Sequence, residues 1–277
     1  MTVGIAQKIS DLDRRIIFLA VLAAVAIPLF IPIGLPVDIS KPVQQSYDAI
    51  QSLPPRSVVM LSIDYDPSGA PELYPATLAV MRHCFARDLR VMVIGMWPTG
   101  VPLGQRALKA IAVDEFHKQY GKDFVNFGFR PGGAIMLVNL GRNIHDVCMQ
   151  DVYTTPVDSI PIMKDIRSAK DIALVLTFSM GDPGSDQWIQ YYQARYRGNL
   201  VTAQTAIGAP KYYQYLQTGQ LVGLIGGMKG AAEYERLVKM PGLATVGMDS
   251  QSIAHMLIIG FIALGNALYW YDKKRKK

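Results

Sequence analysis

The sequence is short of charge and short of the residues that usually mark a reactive centre. Of its 277 residues only 18% are Asp, Glu, Lys or Arg, against about 25% in a typical soluble domain. Half the residues are apolar and the mean hydropathy is positive, +0.18. That balance excludes a disordered chain and argues against an ordinary cytosolic enzyme. There are two cysteines, Cys84 and Cys148, no CxxC or HExxH, and four dispersed histidines, His83, His117, His145 and His255. A metal site built on His and Cys is therefore not expected. Both cysteines fall in apolar helical contexts and read as buried free thiols. No Asn begins an N-x-Ser/Thr sequon, which leans toward a prokaryotic protein. No G-x-G-x-x-G follows the first strand and no G-x-S-x-G occurs. Lys229 in GGMKGAAEYE lacks the phosphate-loop order, and Glu233 and Glu235 beyond it suit a structural place in a helix's first turns.

What charge there is lies at the ends. The net charge is +6, and five of those six positive charges are in the first 15 and last six residues. The interior is nearly neutral, so a nucleic-acid-binding face is not expected. Beside each tail stands an uncharged apolar run: residues 16–35, IIFLAVLAAVAIPLFIPIGL, and residues 253–271, IAHMLIIGFIALGNALYWY. At about 1.5 Å per residue either spans a ~30 Å hydrocarbon core as a helix. Tyr269, Trp270 and Tyr271 suit the headgroup level, with KKRKK just beyond. Pro28 and Pro32 predict a kink in the first run, and His255 and Asn266 are the polar residues of the second. The basic flanks, Lys8, Arg14 and Arg15 on one side and KKRKK on the other, predict both termini in the cytoplasm and the centre extracytoplasmic.

The expected organisation is a cytoplasmic tail (1–15), a first transmembrane helix (16–35), a Pro-rich linker (36–56), an extracytoplasmic α/β domain (57–240), a second linker (241–252), a second transmembrane helix (253–271) and a basic cytoplasmic tail (272–277). Within the domain, short apolar runs alternate with amphipathic stretches. Strands are expected at 57–63, 90–96, 124–129, 171–178 and 200–205, with 221–225 as strand or helix. Helices are expected at 72–87, 103–120, 133–149 (with 135–140 as an alternative strand), 185–197, 210–217 and 231–239. Continuous apolar strands are buried on both faces, and alternation with helices makes parallel βαβ units. The fold class is therefore α/β: a doubly wound, mostly parallel sheet in a Rossmann-like three-layer domain, flanked by two transmembrane helices.

In such a sheet, ligands bind beyond the carboxyl ends of the strands. The segments expected there are rich in Gly and Pro: residues 64–69, 97–104, 130–133, 181–186 and 226–230. Arg130, Gly132, Gly133 and Lys229 are the candidates for holding a small anion, since backbone N–H groups at helix starts favour negative charge. Asp64-x-Asp66 follows one strand and Gly181-Asp182-x-x-x-Asp186 another. These two pairs resemble the first and fourth motifs of haloacid-dehalogenase-type phosphatases. The resemblance implies that Asp64 attacks phosphorus, that Asp66 is the acid/base, and that Asp64, Asp182 and Asp186 hold Mg²⁺. Lys164 or Lys170 would then neutralise charge, and Thr99 would supply a hydroxyl.

Three functions follow as expectations. The leading one is a non-catalytic scaffold or accessory subunit of an oligomeric membrane assembly, without cofactor, whose partners are membrane lipid and copies of itself or other membrane subunits. The alternatives are the Mg²⁺-dependent phosphatase and a sensor of a small anion or ligand on the Gly/Pro loops.

Overall fold

A computed structural model describes residues 13–31 and 33–275. These fall into two compact units, one within Met1–Pro36 and Thr245–Lys277 and the other Val37–Ala244. Lys8, Pro32, Lys276 and Lys277 lie outside the described residues, as do the side chains of Tyr271, Asp272 and Arg275.

The larger unit is the α/β domain. Six strands, β1 (Val58–Asp64), β2 (Arg90–Gly95), β3 (Phe124–Phe129), β4 (Leu174–Ser179), β5 (Leu200–Gln204) and β6 (Gly223–Gly226), form one sheet in the order β3-β2-β1-β4-β5-β6. All five pairings are parallel. Every residue of β1, β4 and β5 is buried, which is why these runs are mostly apolar instead of alternating; the polar ones, Ser62, Asp64, Thr177, Ser179, Thr202 and Gln204, are buried as well. Val58 and Met60 of β1, Met92 and Ile94 of β2 and Val175 of β4 turn to one face. There they meet Met136, Leu137 and Leu140 of the helix Gly133–Arg142, and Trp188, Ile189 and Tyr192. The opposite face carries the helices Ala70–Ala86, Gly100–Leu108 and Gly227–Leu237. A Cβ at Gly100 would lie 2.1 Å from the carbonyl oxygen of Ile63, so the Gly100 helix can lie this close to the sheet only with glycine there. The three-layer α/β expectation holds.

Several boundaries differ from the sequence reading. The stretch expected as a linker at 36–56 contains a helix, Lys41–Gln51, that buries Val43, Ser46 and Ile50 beside β6. Pro42 sits in its first turn, where no N–H bond is lost. A Cβ at Gly223 would meet the Ser46 backbone at 2.6 Å, so this helix is built into the domain. The helix expected over 103–120 is α-helical over Gly100–Leu108 and π-helical over Lys109–Glu115. The helix beginning at Ser185 likewise passes through a π-helical stretch, Trp188–Gln193. Gly133–Arg142 is helix, which removes the alternative strand at 135–140. β4 starts at Leu174 instead of 171, because Ser168 and Asp171 close a capping box around a short 3₁₀ turn.

In the smaller unit the first helix, Arg14–Phe30, has 17 residues. At 1.5 Å per residue it is about 25 Å long, short of a ~30 Å core. The long helix Leu243–Arg275 begins inside the region expected as a linker. Its segment Leu243–Trp270 is the one helix among the described residues that is long and apolar enough to cross a membrane, by length and composition. The expectation of two transmembrane helices is thus reduced to one candidate. Asp249, 1% exposed, joins the two end segments: its carboxylate accepts the N–H groups of Ile33 (3.0 Å), Gly34 (2.7 Å) and Leu35 (2.9 Å).

Candidate functional site

The strand order reverses between β1 and β4, so the chain leaves those strands in opposite directions, and in such sheets ligands bind beyond the carboxyl ends at this point. Asp64 is the last residue of β1 and stands at that point, with no exposed surface. Its Oδ1 accepts the backbone N–H of Met96 at 2.6 Å and its Oδ2 accepts the Ser62 hydroxyl at 2.6 Å. Ser62 in turn accepts the indole N–H of Trp188 at 3.1 Å. Ser62 and Asp64 are two apart on a strand and so share a face. Burial pushes the Asp64 carboxyl up to about 7, against the opposing pull of Ser62, Met96 and Trp188. Near neutral pH this group is both a proton donor and a proton acceptor.

The loops beyond these strands close over Asp64. The Trp97 indole N–H donates to the carbonyl of Pro183 at 2.7 Å, and the ring lies over Gly181. The helix after β4 is pinned at its start by the buried Ser185 hydroxyl, bonded to Thr177 and Thr202 at 2.6 Å each and to the Gln204 amide at 2.6 Å. Those bonds set the loop 180–184 over the end of β1.

The structure does not assemble the other three carboxylates of the phosphatase motif around Asp64. Asp66 caps its own turn, accepting the N–H (2.8 Å) and hydroxyl (2.6 Å) of Ser68, which hold its carboxyl below the usual range. Asp182 accepts the Gln187 amide at 3.1 Å. Asp186 is paired with Lys211 and Tyr212 on the β5 side. Lys170 precedes β4, and Lys164 adjoins Asp165, the partner of Arg90 at the start of β2; both lysines are at the amino ends of the strands, away from Asp64. Among the described residues no three His, Cys, Asp or Glu side chains are grouped so as to hold a metal ion. The residues present do not fit Mg²⁺, and the phosphatase expectation is corrected accordingly. Short Asp-containing turns arise wherever strands pass into helices, which is why the motif was legible without being a site.

The anion candidates divide. Gly132 and Gly133, both at positive φ (111° and 47°), open the helix Gly133–Arg142. Arg130 beside them donates to the carbonyls of Phe129 (2.9 Å) and Gln150, and lines an open cavity of about 600 Å³ with Gly132, Ile135 and Met149. Lys229 follows β6, at the other margin of the sheet, and pairs with Glu233. Five strand spacings of ~4.8 Å put about 24 Å between the two margins, so Arg130 and Lys229 do not share a ligand. Glu233 also accepts the N–H and hydroxyl of Ser40, and Glu235 accepts the N–H groups of Gly242 and Ala244. Cys84 and Cys148 are free and buried.

The class defined is thus a doubly wound parallel α/β domain with a buried carboxyl at its switch point. No protein-family model and no curated protein matches the chain. Two solved structures align with it. One is described as trehalose-6-phosphate synthase, OtsA, with 11% identity and TM-score 0.32 over 90% of this chain and 49% of the other. The second, described as trehalose-6-phosphate from E. coli bound with UDP-2-fluoro glucose, has 12% identity and TM-score 0.33 over 90% of this chain and 50% of the other. The chain spans about half the length of these structures. One of the two is described as a synthase and neither as a scaffold, and the expectation of a non-catalytic scaffold is not carried forward. Likeness at this level lends the chain neither a substrate nor a mechanism.

Proposed function

We propose that this chain is a membrane-tethered α/β protein with acid–base chemistry at the carboxyl ends of β1 and β4, carried by Asp64. The observation that carries the reading is a wholly buried carboxyl, held at about 7, at the point where the strand order reverses. Strongly perturbed titratable groups concentrate at functional sites, and a group that titrates near the working pH is suited to giving and taking a proton. The ligand class is a small hydroxyl- or carbonyl-bearing molecule, admitted when the bond between Trp97 and Pro183 opens. The tether is the segment Leu243–Trp270, aided by the apolar Arg14–Phe30 helix that Asp249 ties to it through Ile33–Leu35. In this reading both termini are cytoplasmic, the α/β domain is extracytoplasmic and membrane lipid surrounds the end segments.

The test is a thermal-shift survey of the full chain in mild detergent against sugars, polyols and hydroxy acids, with wild type and Asp64→Asn side by side. Infrared titration of the carboxyl accompanies it. The reading expects stabilising compounds whose effect disappears in Asp64→Asn, and a carboxyl band that titrates near pH 7 only in wild type. A band titrating near pH 4, or stabilising compounds that act equally on both proteins, overturns it.

A further inference from the structure

A second pocket stands apart from the switch point, at the β3 margin of the sheet. It has a volume of about 770 Å³, within the ~300–1,000 Å³ range of small-molecule sites. One wall is aromatic and continuous: Tyr120 meets Phe124 edge-on at 5.3 Å between ring centroids and Tyr153 at 5.0 Å. The other wall is the helix Gly100–Leu108 as it passes into the π-helix Lys109–Glu115, with Leu108 and Val113 toward the pocket. π-Helical turns are rare and frequently lie at functional sites.

The polar groups of the lining sort themselves. Gln105 donates to the Tyr153 hydroxyl at 2.7 Å and accepts the Asn126 amide at 2.8 Å; Tyr120 donates to Asp151 at 2.9 Å. These groups are occupied with one another. Arg106 and Lys109, three apart and so on one side of the helix, also line the pocket, and neither has a carboxylate partner among the described residues. Arg106 lies over the Tyr74 ring at 5.7 Å instead. An apolar, aromatic-walled pocket flanked by two cations without counter-charges is complementary to a molecule with an apolar body and one anionic end.

We infer that this pocket is a binding site for a small soluble amphiphilic carboxylate, its apolar body against Tyr120, Phe124, Tyr153 and Val113 and its carboxylate between Arg106 and Lys109. The site shares no residue with the surroundings of Asp64 and stands or falls independently of them.

The experiment is ¹⁹F NMR of 4-(trifluoromethyl)benzoate with the full chain in nanodiscs of neutral lipid, empty nanodiscs as the blank. Saturable line broadening is expected with wild type, and binding about tenfold weaker with Arg106→Gln/Lys109→Gln. 4-(Trifluoromethyl)benzamide, which lacks the charge, should bind about as weakly to wild type as the benzoate does to that double variant. Val113→Trp, at a position 45% exposed and so tolerant of a larger side chain, should fill the pocket and abolish binding. Broadening no greater than with empty nanodiscs overturns the inference. So does equal binding of the benzoate to wild type and the double variant, or of benzoate and benzamide to wild type.

Discussion

Leucine, isoleucine and phenylalanine behave in opposite ways in the two units. In Val37–Ala244 they make the core: Leu61 and Phe178 have no exposed surface. In the end segments Phe18 is 69% and Ile259 65% exposed. The chemical groups are the same, and each square ångström of apolar surface taken from water is worth ~25 cal/mol in either place. In the α/β domain that stabilisation is collected within the chain. In the end segments the apolar side chains face outward, and Leu243–Trp270 is, among the described residues, the helix long and apolar enough to cross a membrane. Polar groups differ in parallel. The domain buries Asp64 and His83 singly among partners, whereas Asp249, a deeply buried carboxylate of the smaller unit, serves three backbone N–H groups of a non-helical turn.

The largest expected effect breaks this contrast from the side of the long helix. Ile258→Arg with Ile262→Arg puts two charges in its middle, each costing about 2.5–3.5 kcal/mol at the centre of a membrane. Alkaline carbonate extraction should then release chain that wild type retains. Ile207→Arg, at a domain position 94% exposed, should release none. Release by Ile207→Arg, or retention of the double variant, would abolish the distinction.

Next is the pH dependence of the domain. The Asp64 carboxyl is raised by burial from 3.8 to about 7, so between those values the folded state holds more protons than the unfolded one. Stability therefore falls as pH rises through that window, by up to about 4 kcal/mol across it. Burial, reinforced by Arg87, lowers His83 from 6.5 to about 4. Its neutral ring stacks on Tyr47 at 4.5 Å and bonds to Tyr234 and Gln51. Its contribution has the opposite sign: stability is lost as pH falls from 6.5 toward 4. Asp64→Asn should accordingly be more stable than wild type at pH 8. Between pH 6.5 and 4.5 it should lose stability on acidification more steeply, because only the histidine slope remains. Urea melts followed by tryptophan fluorescence at several pH values measure both.

The smallest effect sharpens the comparison at the turn. Asp249→Ala leaves the N–H groups of Ile33, Gly34 and Leu35 without their acceptor, a loss of ~2 kcal/mol. Limited proteolysis at 31–40 should quicken several-fold, with no change in cleavage inside the α/β domain. Unchanged cleavage at 31–40 would show that the carboxylate does not hold the two segments together.

Much of the architecture was legible because it rests on local patterns. Runs such as Val58–Ile63 and Leu174–Phe178 are apolar but for Ser62 and Thr177 and do not alternate, which is the signature of strands covered on both faces. The helix Lys41–Gln51 was hidden by its prolines: Pro42 reads as a breaker until its place in the first turn is known. Of the candidate site residues, Asp64 stands at the strand-order reversal, while Asp66, Asp182 and Asp186 are spent on Ser68, Gln187 and Lys211. Ser62, Met96, Trp97 and Trp188 were not read as site residues. The one available cue was Ser62-x-Asp64, two polar side chains on one face of an otherwise apolar strand.

By itself the sequence determined the alternation of buried strand and helix, the parallel sheet this entails and the two apolar ends, since these follow from the spacing of side chains along a few consecutive residues. Only the tertiary structure decided the rest. The order β3-β2-β1-β4-β5-β6 puts Asp64 at the reversal and Arg130 and Lys229 at opposite margins. Folding also gathers Tyr120, Phe124 and Tyr153 against Arg106 and Lys109. Those placements depend on which faces remain to be buried after each strand is laid down, a property of the whole sheet that no local stretch of chain contains.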